Sequence, residues 1–243
     1  MSDEKPERIP AFPMDDKRSA AYHVAMGTLD AAASVVPGGS YGVQQIVRQF
    51  IGEPLERRRE AWFAAVGDSL REMQDRFDGF DPANLADDEE FLSAVAEASR
   101  IAMTTHRAEK LDALRNAVLN AAAGIHLDEV LQKTFLGYVD RFSTLHFQVL
   151  KLLANPAANP KAAARAEGMM TGSLGQIIHA ALPETTGNPV LLGRVLGELE
   201  REGLTNGASM NTMMTATGVT EKRTSEFGDT FLSFISNPAS KVA

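Results

Sequence analysis

The sequence predicts a mainly α protein, built as a multi-helix N-terminal domain followed by a small C-terminal module with a short β-hairpin. Three observations predict it. Apolar residues recur at helical spacing along most of the chain, most cleanly at Leu127, Val130, Leu131, Phe135, Tyr138, Val139 and Phe142. The run Asn155, Pro156, Ala157, Ala158, Asn159, followed by Pro160, interrupts that pattern on both sides and marks a boundary. Beyond it, residues 209–217 (SMNTMMTAT) are rich in Thr and Met with imperfect alternation, and Gly218 offers a turn before residues 219–227. That composition fits a hairpin better than a helix.

With 243 residues and 44% hydrophobic content, the chain can bury a real core in one large or two modest domains. Lys and Arg number 24 against 32 Asp and Glu, a formal charge of -8, so no general attraction to phosphate is expected. Nucleic-acid binding would need a local basic face. The absence of cysteine excludes disulfides, thiolate metal sites and cysteine nucleophiles, and it fits a reducing cytoplasm. Residues 1–18 are polar, mixed in charge and interrupted by prolines, unlike a secretory signal or an Arg-rich transit peptide. They are expected to form a disordered lead-in.

The helical domain is expected over residues 19–155. It begins with an apolar, Gly/Ala-rich helical hairpin over residues 20–52. Residues 31–47 carry no charge, yet Pro37, Gly38 and Gly39 divide them, and each arm falls short of the roughly 20 residues a membrane-spanning helix needs. Ala25, Gly27, Ala31 and Ala32 are small enough to let two helices approach closely. Pro54 then opens a long surface helix over residues 53–77, with Trp62, Val66, Leu70, Met73 and Phe77 on its apolar side. Arg57, Arg58 and Arg59 lie in its early turns, where cations oppose the helix dipole, so they do not serve helix stability. They read as a solvated face between Glu56 and Glu60, or as a contact for an anionic surface.

Gly79, Pro82 and Asn84 mark a loop, and Asp87 or Asp88 caps the next helix, residues 89–106. Phe91, Leu92, Val95, Ala98, Ile101 and Ala102 form its expected buried side. Residues 109–153 supply the organising core as three short helices. Leu111, Leu114, Val118 and Leu119 line the first, the stripe from Leu127 to Phe142 the second, and Leu145, Val149, Leu150, Leu152 and Leu153 the third. Gly124 separates the first two, and Ser143 caps the third. In the C-terminal module, residues 173–182 make a short helix. Asn188 and Pro189 start another that ends near Gly203, and Phe227, Phe231, Leu232 and Ile235 share the face of a closing helix.

Two helices, the second ending in REGL, then a hairpin, then RTSEFGDTFLSFI, resemble a winged-helix module spanning residues 161–237: helix, helix, wing, closing helix. The resemblance rests on residues 198–204 and on residues 224–235, where a Thr, a Gly and paired apolar residues close the unit. A DNA-binding member carries a basic recognition helix in the major groove. Here residues 193–204 hold Arg194 and Arg201 against Glu198, Glu200 and Glu202, and Lys222 and Arg223 stand in the expected wing. Protein contact is therefore the expected use of the module, with a DNA-binding transcriptional regulator as the alternative. The chain is also distantly similar to the abortive-infection alpha family of phage-defence proteins, in residues 111–153 and in the closing Thr-Gly-Phe pattern. That resemblance implies a bacterial intracellular protein acting in defence, and it transfers no functional residue.

Catalytic patterns are sparse. Residues 38–42 match G-x-S-x-G, but the nucleophile elbow needs a strand before it and a sheet beneath it, so Ser40 reads as a turn residue. His23, His106, His126, His146 and His179 form no HxxxH or HExxH pair, and His146 reads as a partly buried histidine bonded to a carbonyl or carboxylate. Asp87, Asp88, Glu89 and Glu90 complement a helix start. No phosphate-binding glycine loop is present. Met169, Met170, Met210, Met213 and Met214 suit a core or an adaptable contact surface. The sequence thus points to a non-enzymatic intracellular bacterial interaction protein, with no catalytic residue, metal or cofactor. Its expected partner is a protein or a second copy. A peripheral membrane contact is expected through residues 20–52, with Arg57, Arg58 and Arg59 meeting anionic headgroups in a cytoplasmic protein at the inner membrane. Nucleic acid, through Lys222 and Arg223, ranks lower.

Overall fold

The computed structural model describes residues 53–77, 80–125, 127–207 and 209–241. The lead-in, the 20–52 hairpin with Ser40, and His126 lie outside the described residues. The described chain is mainly helical with one small antiparallel sheet. It falls into two compact units, one up to Thr105 together with Ala121–Ile125, the other made of His106–Asn120 and the residues after Ile125. Among the described residues no helix is long and apolar enough to cross a membrane.

In the first unit, α1 (Glu53–Arg76) packs on α2 (Glu89–Thr104). Trp62, Val66 and Met73 are buried on α1, and the Trp62 indole N–H donates to Ser99 Oγ on α2 at 2.9 Å. Asp88 caps α2 by accepting from the Phe91 N–H at 2.9 Å. The buried line of α2 runs Phe91, Ala94, Ala98, Ile101, Ala102. The expected Leu92 is 42% exposed and Val95 half-buried, because with Phe91 as anchor the i+3 and i+7 positions are both alanines, and these face inward.

The second unit holds α3 (Ala108–Ala122) up to Asn120, α4 (Glu129–Arg141), α5 (Thr144–Ala154), α6 (Pro160–Glu167), α7 (Leu174–Ala181), α8 (Pro189–Arg201), α9 (Ala216–Thr220) and α10 (Glu226–Phe234). Its core is the expected stripe on α4, with Phe135, Tyr138, Val139 and Phe142 buried. Phe135 lies within 5.1–5.6 Å, ring centre to ring centre, of Phe227, Phe231 and Phe234 at the closing helix. Val130, expected on the stripe, is 70% exposed. The inward face runs through Gln132, Phe135, Leu136 and Val139 instead, which leaves the first turn pointing outward.

Residues 155–159, expected as a domain boundary, lie inside the second unit. Asn155 caps a 3-10 turn (Pro156–Ala158) whose Pro156 is buried, and Asn159 caps α6 by accepting from the Lys161 and Ala162 N–H groups at 3.1 Å each. The sheet pairs β1 (Thr171–Ser173) with β2 (Met213–Thr215), Gly172 opposite Met214. So 213–215 is a strand as expected, but its partner is not 219–227. Thr215 Oγ1 accepts from the Gly218 N–H at 3.1 Å and starts α9 where a hairpin turn was expected. Thr205 and Thr224 form an isolated antiparallel bridge that closes the 205–224 segment at its base.

Two glycines fix the path around α8. Gly203, at φ +72°, ends the helix in the left-handed conformation, with the Leu204 N–H bonded to Leu199 O at 2.9 Å. Gly228 in α10 lies directly against the Leu204 carbonyl, leaving no room for a Cβ. The Gly of the closing Thr-Gly-Phe pattern is therefore a close-approach residue.

Candidate functional site

The sequence of α8, PVLLGRVLGELER, separates into three faces. Leu192, Val195, Leu196 and Leu199 are buried. Val190, Gly193, Arg194, Gly197 and Arg201 lie on the opposite, outward side of a 3.6-residue helix, where Val190 is 81% exposed. Between these two faces, Glu198 and the capping residue Glu202 turn toward α4 and α5.

His146 makes the first tie. It is buried at the third position of α5, where Nδ1 lies 3.2 Å from the Ser143 N–H and 2.8 Å from Ser143 Oγ, while Nε2 lies 2.9 Å from Glu198 Oε2. A backbone N–H can only donate, so Nδ1 must accept, and the proton of the neutral ring sits on Nε2 and points at Glu198. Burial pushes the His146 pKa below its ordinary value, partly offset by Glu198. Arg194 bonds Glu198 from the other side at 2.7 Å. The bond from Arg194, then that from His146, lowers the Glu198 pKa.

The second tie is one turn further on. Arg141 pairs with Glu202 at 3.0 Å, and the Tyr138 hydroxyl is pushed up to about 12 by burial and by its hydrogen bond to Glu202. Phe142 stacks on Tyr138 at 5.1 Å and on His146 at 4.7 Å, so three rings spaced four residues apart form one column. Arg141 also lies over the Tyr138 and Phe142 rings. Lys110 Nζ donates to Asp140 O at 2.7 Å beside this column. The column and its two carboxylates hold α8 by one flank and leave its outward side uncovered within the unit.

The expected contact residues fall in separate places. On α1, Arg57 is exposed, Arg58 donates to Met103 O at 2.9 Å, and Arg59 pairs with Glu56 at 3.7 Å while lying over Phe63. Arg58 is therefore tied to α2 and half-buried. In the second unit, Lys222 bonds Asp229. The Arg223 guanidinium turns inward to Gly218 O at 2.7 Å and Met214 Sδ at 3.0 Å, while its Nε is buried without a partner. Met213 and Met170 are 64% and 93% exposed, whereas Met169 and Met210 pack over Gly172 and Gly175.

Sequence reasoning misses Asn116 and Asn120. Asn120 is fully buried on α3, and its Nδ2 donates to Phe234 O and Ser236 O at 2.8 Å each; Asn116 Nδ2 donates to Ile235 O at 3.0 Å. The pair bonds the carbonyl of the last residue of α10 and those of the two residues that follow it. The available signal is two amides four residues apart inside an apolar stripe. Among the described residues no cluster of three or more His, Asp or Glu could hold a metal ion. No family model, curated protein or solved structure matches the chain.

Proposed function

We propose that this chain is a non-enzymatic interaction protein of the bacterial cytoplasm, whose C-terminal module is a winged helix used for protein contact. In that reading α7 and α8 are the paired helices, the 205–224 segment is the wing, and α10 is the closing helix. The resemblance to the abortive-infection alpha family is what points to phage defence. One observation carries the choice of protein over DNA. Where a DNA reader would present cations, the start of α8 presents Val190 at 81% and Leu191 at 45% exposure, and Arg194 is already paired with Glu198. The inward Arg223 and the paired Lys222 also leave the proposed wing with little to offer phosphate.

A photo-crosslinking residue at Val190, in full-length protein expressed in bacterial cells, tests this reading. Discrete protein adducts support it; no adduct, together with a shifted DNA duplex at low salt, overturns it in favour of the regulator. The membrane contact through residues 20–52 is a separate part of the proposal. Full-length protein is expected to float with anionic vesicles while a chain beginning at Glu53 stays in the soluble fraction. Equal recovery of both in the soluble fraction removes the membrane part.

A further inference from the structure

Of the nine asparagines in the chain, Asn206 alone is followed by glycine. Asparagine is a chemically labile residue, because the amide nitrogen of the next residue can attack its side-chain carbonyl. A glycine in that next position has no Cβ to hinder the approach. Four of the other asparagines precede proline, whose nitrogen carries no hydrogen to lose. Asn116 and Asn120 have their amides bonded to main-chain carbonyls, and Asn84 precedes Leu85 within a 3-10 turn. Asn211 is exposed in the same segment as Asn206, but the branched Thr212 follows it. At Asn206 the fold leaves the reacting groups open. The residue is exposed one place inside the Thr205–Thr224 bridge, and its backbone N–H donates to Arg223 O at 2.8 Å. Beyond that bond, among the described residues, neither the Asn206 side-chain amide nor the Gly207 N–H makes a hydrogen bond. Gly207 is exposed at φ +60°, and no atom lies within 4 Å of where its Cβ would stand.

We propose that Asn206 is a site of spontaneous deamidation, and that the change loosens the 205–224 segment at its base. Gly207 N gives up its proton to hydroxide and bonds to Asn206 Cγ, the side-chain nitrogen leaves as ammonia, and a five-membered succinimide closes. Water then adds to one ring carbonyl and breaks its bond to nitrogen. In sum, asparagine and water give a carboxylic acid and ammonia, with no oxidant, reductant or cofactor. Opening at the side-chain carbonyl gives aspartate. Opening at the main-chain carbonyl gives isoaspartate, which routes the backbone through Cβ and lengthens it by one carbon. Either product adds a negative charge. The extra carbon of isoaspartate also falls directly after the Asn206 to Arg223 bond, where it adds a rotatable bond to a segment closed by that bond and by the Thr205–Thr224 bridge. Leu204, packed on Gly228, lies on the other side of the bridge and stays in place. The chemistry is independent of what the module binds.

The test is incubation of folded, full-length protein in mildly alkaline buffer, followed by peptide mapping with mass spectrometry. The peptide holding Asn206 is expected to gain about one mass unit, the difference between an amide and a carboxyl, with fragment ions placing the change at Asn206 and not at Asn211. Asn206→Gln, which would have to close a larger ring, is expected to react about tenfold or more slowly. Loosening is read by trypsin. In the intact protein Lys222 is bonded to Asp229 and the Arg223 guanidinium to Gly218 O, so both cleavage sites are held. The aged, more acidic fraction is expected to be cut there several-fold faster than Asn206→Asp, which carries the charge without the added carbon. No mass change at Asn206 while the urea-unfolded chain reacts, equal change at Asn211, or cleavage no faster than that of Asn206→Asp overturns the proposal.

Discussion

His146 Nε2 donates to Glu198 Oε2 at 2.9 Å, tying α5 to the flank of α8 between its buried and outward faces. Glu198→Ala leaves a buried imidazole N–H without an acceptor. The expected loss is about 1–3 kcal/mol by urea denaturation, with Glu198→Gln costing less because its amide oxygen can still accept. Equal stability of Glu198→Ala and wild type would show that the tie carries no energy.

Acid should act through the same bond. The folded pKa of His146 lies below the ordinary 6.5, chiefly because the ring is buried. Between those two values the unfolded chain binds more protons than the folded one. This contribution is therefore complete above about pH 6.5 and is lost as pH falls through that window toward the folded value. Glu198 and Asp229 are also held below their ordinary values. For Asp229 the upward push of burial is outweighed by the bonds from Lys222 and Thr224, so both carboxylates add a further loss at lower pH. Unfolding free energy measured from pH 7.5 to 5 should decline in wild type and stay flatter in His146→Gln. An NMR titration of the ring should give a midpoint under 6.5, and a midpoint above it contradicts the account.

Gly228 and Gly193 offer a matched contrast. A Cβ at Gly228 overlaps the Leu204 carbonyl, whereas none meets anything within 4 Å at Gly193. Gly228→Ala should cost upwards of about 3 kcal/mol or abolish folding, because the clash is with backbone. Gly193→Ala should stabilise by about 0.5–1 kcal/mol, as glycine-to-alanine changes do on an open helical surface. Melting curves of the two variants decide it, and similar shifts for both would refute the packing described at Leu204.

Asn120 sets up a test of the α3 to α10 junction. Its amide nitrogen faces carbonyl oxygens of residues 234 and 236 at 2.8 Å each. Asn120→Asp places a carboxylate oxygen against those acceptors and should destabilise by about 3 kcal/mol or more, well beyond Asn120→Ala. An aspartate variant as stable as the alanine variant would mean that the amide does not cap α10.

Much of this architecture is legible in the residues, and what is not has a physical reason. The helices stand where apolar residues keep a 3.6-residue period, and Ser143 and Asp88 cap as their positions suggest. The dipeptide Asn-Pro is ambiguous, since it both stops one helix and starts the next. Asn188-Pro189 reads correctly as a start, but Asn159-Pro160 reads as a break and hides α6. Strand β1, Thr-Gly-Ser, has no strand character of its own and exists through pairing with residues about forty positions later. His146 reads as a bonded histidine, but nothing local identifies Glu198 as its partner, 52 residues away. The acids of α8 thus look like a solvent face, and the outward line of Val190, Arg194, Gly197 and Arg201 emerges when the seam is known.

The most direct measurement is the fraction of full-length chain crosslinked in bacterial cells through a photo-reactive residue at Val190, set beside the binding of a DNA duplex to the same protein at low salt. Protein contact through the exposed start of α8 predicts a discrete protein adduct and no duplex shift. No adduct at Val190, together with a shifted duplex, would contradict the claim that the C-terminal module meets a protein.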